Sequence, residues 1–161
     1  MPKNEISLLL QMLDEAYEKQ TWHGPNLKGS LRGLSAEEAA WRPAKSRHNI
    51  WEIAVHCAYW KYTVRRRLLN EKRGSFPLAG SNWFTRPNAE SDKAWKEDLL
   101  LLQQAHRAMW VAVAGLTPSQ LYRKAPNSKV VNIRVIAGIA NHDIYHAGQI
   151  QLLKRLQRDS V

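Results

Sequence analysis

The last stretch of the chain narrows the possible folds more than any other. From about Asn132 to about Arg158 there is no proline, and Val135, Ile139, His142, His146, Gln149 and Leu153 recur at spacings of four, three, four, three and four. That is the period of an α-helix with one buried stripe. The stripe carries two histidines with aliphatic residues on either side. Four residues differ by about 40° around a helix, so both imidazoles project from one face. A pair at this spacing can place two ring nitrogens on one metal ion.

The rest of the sequence supplies partners for such a helix. Asn4 caps a first predicted helix running to about Gln20, with Ile6, Leu9, Leu10, Leu13, Ala16 and Tyr17 as its apolar face. Thr21 to Gly33 reads as loop, broken at Gly24-Pro25-Asn26. Ser35 and Glu38 form a capping box for a short helix that must end near Trp41-Arg42, because Pro43 follows. A second long helix is predicted from Asn49 to about Asn70, and a third from about Ser91 to Ala114. Gly74, Pro77, Gly80 and Pro87 forbid a helix between them, and Trp83 and Phe84 predict that this segment folds back over something apolar. Thr117-Pro118-Ser119-Gln120 opens one short turn, and Asn127-Ser128-Lys129 is a further turn. Four long helices, no hairpin and no repeat predict an all-α fold. It is a four-helix bundle with short extra helices in its connections, as one domain over residues 1–161.

Composition excludes several classes. No apolar run approaches the roughly 18 residues of a membrane span. The leading apolar stretch Leu8-Leu9-Leu10 is too short for a signal peptide, and Cys57 is the only cysteine, so a cytoplasmic protein is expected. The net charge of +10 is spread along the chain; its densest cluster, Arg65-Arg66-Arg67 with Lys72 and Arg73, closes a helix whose dipole it complements. No nucleic-acid-binding module accompanies the charge, so a nucleic-acid partner is not expected.

The candidate chemistry lies with His56, His142 and His146. His56 occupies the middle of the second long helix, and three neutral imidazoles from two packed helices would hold a divalent metal with part of its coordination sphere open. Such a metal generates a nucleophile from water or a thiol near neutral pH. A zinc-protease reading fails on residue type, because Asp143 stands where that motif needs Glu. Gln149 and Tyr145 are candidate catalytic groups: Gln149 to bond a metal-bound water or orient an imidazole, Tyr145 as a proton donor. Glu52 is a second-sphere acceptor for His56 or a cap. Asp143 points about 100° off the ligand face, toward second-sphere or surface duty. Trp60 is expected to wall the pocket, Cys57 to be a buried apolar group, and His48 to approach the site mouth. Arg67, if it faces the pocket, would bind carboxylates.

These residues resemble a known family. Ile53-Ala54-Val55-His56 with Trp60, and His142-Asp143-Ile144-Tyr145-His146-Ala147-Gly148-Gln149-Ile150, look like the DinB-like (DinB/YfiT) superfamily, as does Leu34 to Pro43. The resemblance implies a bundle with a three-histidine zinc or nickel site on His56, His142 and His146, and a homodimer. It also implies a small-molecule substrate, with a low-molecular-weight thiol as co-substrate. Characterised relatives include bacillithiol- and mycothiol-dependent S-transferases and a mycothiol-dependent isomerase. A thiol S-transferase is therefore the first expectation. A metal-dependent hydrolase, or a non-catalytic protein braced by metal, is the alternative.

Overall fold

Side-chain caps fix where the helices begin. Asn4, Asn26, Ser35, Asn49 and Ser91 each accept a hydrogen bond from a backbone N–H of the first turn they precede. At Ser35/Glu38 and Asn49/Glu52 the carboxylate reaches back to complete a capping box, satisfying a second orphan donor. Each such cap contributes about 1 kcal/mol. The resulting elements are α1 (Glu5–Tyr17), α2 (Leu27–Leu31), α3 (Ala36–Ala40), α4 (Ile50–Leu68), α5 (Asp92–Ala114), α6 (Pro118–Leu121) and α7 (Asn132–Arg158). They come from a computed structural model that describes residues 4–86 and 91–160. Among the described residues there is no strand, only an isolated bridge between Lys124 and Val131.

The four long helices form a ring of neighbours. α4 packs on α5 and α7, and α1 packs on the same two. The three short helices cross the ends: α2 rests on α7 and α3 on α4. The fold is the all-α bundle with short connecting helices that the sequence predicts. Two boundaries differ. α1 stops at Tyr17, short of Gln20, because the N–H groups of Glu18 and Lys19 both turn onto Asp14 O at 2.9 and 2.8 Å. The region read as loop contains α2, which Asn26 caps and whose Leu27 and Leu31 are buried. Two buried leucines four residues apart outweigh the glycine inside that single turn.

The core divides into two apolar clusters, one around Trp51 and Trp95 and one around Leu13, Met109 and Ile136. Trp51 and Trp95 are fully enclosed, yet each indole N–H finds an acceptor: Trp51 donates to Asp98 Oδ2 at 2.6 Å and Trp95 to Leu34 O at 2.8 Å. Asp98 also receives Arg86 at 2.7 Å, which ties the end of the 71–86 segment to α5. Phe84 is buried against Tyr59 and Phe76 with ring centroids 5.4 and 5.3 Å away. The segment therefore folds back over the bundle, as its aromatic residues predict, and positions Asn82 and Trp83.

Candidate metal centre

α7 delivers His142 and His146 one turn apart, and α4 brings His56 against them. Nε2 of His142 lies 3.1 Å from Nε2 of His56 and 3.1 Å from Nε2 of His146. The outer nitrogens are committed elsewhere. His56 Nδ1 lies 2.8 Å from the carbonyl of Asn82, an acceptor only, so Nδ1 carries the proton. His146 Nδ1 donates to Gln149 Oε1 at 2.7 Å, and Gln149 Nε2 donates in turn to the Tyr145 hydroxyl at 3.0 Å. Both Nε2 atoms are then bare lone pairs aimed at His142, which has at most one proton for the two of them. This donor set is short of protons and suits a cation.

The electrostatics agree. Burial pushes His56 down to about 4 and His142 to about 3, with the neighbouring imidazoles adding repulsion. His146 is also lowered by burial, against a smaller upward pull from Gln149. All three rings are therefore neutral at pH 7, the form that ligates metal.

Aromatic rings close one side. Trp83 is sandwiched between His48, 3.6 Å away at 5°, and His56, 3.9 Å away at 12°. Trp60 Nε1 donates to Asn82 Oδ1 at 2.9 Å. Asn82 has φ 65°, a left-handed conformation that Asn tolerates better than most residues, and it aims its carbonyl at His56. On the other side the triad opens into a cavity of about 910 Å³, whose walls include Leu152, Leu153, Leu156, Tyr145 and Arg47.

The sequence profile of the DinB superfamily matches residues 20–150, most of the chain and all three histidines. The chain belongs to the DinB superfamily. No curated protein and no solved structure matches it. Membership and the buried triad together fit a metal-dependent enzyme.

The structure places the remaining candidates around the triad. Gln149 holds His146, and Tyr145 is exposed beside the cavity with its oxygen accepting from Gln149. Trp60 and His48 line the cavity, and Cys57 is fully buried. Three readings that the sequence left open are settled. Glu52 does not reach His56: its carboxylate is taken by Arg42, by His48 at 3.0 Å and by its own capping box. Asp143 does no surface duty; it is wholly buried and paired with Lys61. Arg67 borders a different cavity, beyond Trp60 and Asn82, whereas Arg47 borders the cavity at the histidine triad. Sequence reasoning missed Asn82, Lys61 and Arg47. Lys61 alone left a signal, since it continues the stripe of Ala54 and Ala58 at helical spacing.

No helix among the described residues is long and apolar enough to cross a membrane.

Proposed function

We propose that His56, His142 and His146 hold a divalent zinc or nickel ion through Nε2, and that the protein is a thiol S-transferase acting on a small electrophile. The observation that carries the reading is the trio of Nε2 atoms, those of His56 and His146 each 3.1 Å from that of His142, with no more than one proton among them, opening on a cavity. A metal at this point supplies Lewis-acid activation of a thiol near neutral pH. The choice of a thiol over water rests on the superfamily's characterised members.

The chain's own groups do the rest. The Asn82 carbonyl and Gln149 hold the Nδ1–H tautomers and so aim Nε2 inward. Trp83 and Trp60 wall the histidines on one side, while Leu152, Leu153 and Leu156 offer an apolar bed. Among the described residues Arg47 is the only lysine or arginine on the cavity wall, and no carboxylate lines it. A mainly apolar electrophile bearing one anionic group fits that wall. The thiol gives its proton to solvent, its sulfur forms the new bond to carbon, and the displaced group leaves with its electron pair. Tyr145, whose oxygen already accepts from Gln149, keeps its own proton free for that departing group.

Elemental analysis of untagged protein, wild type beside His146→Ala, tests the site. About one metal per chain in the wild type and none in the variant is expected. The loaded protein should then join a low-molecular-weight thiol to a chloro-aromatic or epoxide acid. Absence of metal after reconstitution would remove the reading, and turnover with water alone would replace transfer by hydrolysis.

A further inference from the structure

Each ligand of the proposed centre needs something to hold its outer nitrogen, and here only two of three have it. His56 Nδ1 has the Asn82 carbonyl at 2.8 Å and His146 Nδ1 has Gln149 at 2.7 Å. His142 Nδ1 is buried with no partner. Among the buried side-chain atoms left unpartnered in the described residues there is one carboxylate oxygen, Asp143 Oδ1. A ring nitrogen of His142, a carboxylate oxygen of Asp143 and Cys57 Sγ all lie within 4.8 Å of one another. Nε2 of His142 faces the other two histidines, so Nδ1 is the nitrogen on the Asp143 side; the two orphaned atoms are neighbours that do not meet as a hydrogen bond in this arrangement.

The other oxygen, Oδ2, is held by Lys61 Nζ, and both side chains have 0% exposure. Lys61 also sits over the Tyr17 ring, 5.1 Å from its centroid. An ion pair enclosed on all sides is a poor source of stability, because desolvation offsets most of its attraction. Apolar residues of similar size often serve the fold as well or better. Its position directly behind a metal ligand calls for another reason.

Granting the metal centre proposed above, we infer that Asp143 is a positioning residue: fixed by Lys61, its carboxylate is the acceptor for His142 Nδ1–H and sets the direction of that ligand. An imidazole donating to a carboxylate is more basic at its far nitrogen and cannot rotate freely. His142, whose Nε2 lies between those of the other two, is then the most strongly held of the three. Asn82 and Gln149 offer only neutral oxygens to their partners.

The test is zinc affinity, measured by chelator competition on the full chain. Lys61→Met/Asp143→Leu removes both charges and leaves neither orphaned. A purely structural pair leaves zinc affinity unchanged in that variant. The positioning role makes affinity fall by about 10- to 100-fold while the metal-free melting temperature stays level or rises. Lys61→Met/Asp143→Asn, which keeps a neutral acceptor oxygen, should recover affinity to within a few-fold of wild type. A folded Met/Leu variant with wild-type affinity overturns the inference and leaves the metal centre standing. A wild type that takes no zinc removes both. If neither variant folds, nitrogen-edited NMR of the zinc-loaded wild type decides. A slowly exchanging proton on His142 Nδ1 supports the inference, and one that exchanges at the rate of free imidazole overturns it.

Discussion

Asn82 separates backbone from side chain at the histidine triad, so two substitutions there give different outcomes. Its left-handed backbone, φ 65°, directs the carbonyl to His56 at 2.8 Å, and its side chain accepts from Trp60 at 2.9 Å. Asn82→Gly keeps the backbone and loses the side-chain bond. That bond is exposed, so its loss costs about 0.5 kcal/mol, while glycine takes this φ without the strain an L-residue bears, which offsets its extra freedom in the unfolded chain. Asn82→Val loses the same bond and places a β-branched residue at positive φ, a further ~1–2 kcal/mol that the chain can escape by swinging the carbonyl away from His56. For a chain of this size 1 kcal/mol is about 2–4 °C in melting temperature. Gly should therefore melt within about 1–2 °C of wild type and Val several degrees lower. Zinc competition provides the sharper contrast. Gly should stay within about threefold of wild type, because His56 keeps its acceptor, whereas Val should lose about tenfold or more. Equal affinities in the two variants would refute the claim that the Asn82 carbonyl orients this ligand.

Two further outcomes concern stability. His106 is buried, stacked on Tyr17 at 3.9 Å, and held far below its usual value by burial with help from Lys61 and Lys28. The unfolded chain takes up a proton there below about pH 6.5 that the folded chain does not, so stability falls with pH from that point down. His106→Phe should flatten the unfolding free energy against pH below 6.5 by as much as about 1.4 kcal/mol per unit; parallel curves in denaturant titrations would contradict the burial argument. Phe84→Ala should cost about 3–5 kcal/mol, because the ring is enclosed between Tyr59 and Phe76. A loss below about 1 kcal/mol by thermal unfolding would mean that the segment it anchors is held elsewhere.

What the sequence made legible follows from periodicity. His142 and His146 lie on a three-four stripe long enough to fix a helix, and capping residues set several helix starts. In α5 the stripe reads Trp95, Leu99, Leu102, Ala105, Met109 and Val113 and passes over His106 beside it, so the burial of His106 was not drawn from the sequence; Lys61 was readable after Ala54 and Ala58. Asn82 and Trp83 were not: an irregular segment has no period, and their placement depends on Phe84 and Arg86 finding Tyr59 and Asp98 far along the chain. Arg47 likewise owes its place to a turn between α3 and α4 that propensity alone does not aim. The burial of Asp143 was not legible because an angle of 100° from one seam of a helix says nothing about a second seam, and α7 is covered by α1 as well as by α4.

The sandwich of His48, Trp83 and His56 ties one corner of the triad to the 71–86 segment. A ring that is one slice of an aromatic stack cannot swing toward that segment while the stack is intact. The indole cannot leave without unstacking both rings and pulling on Asn82 beside it, whose carbonyl holds His56. Reorienting His56 and lifting the 71–86 segment are thus coupled motions, while the cavity on the far side leaves the triad open to small molecules.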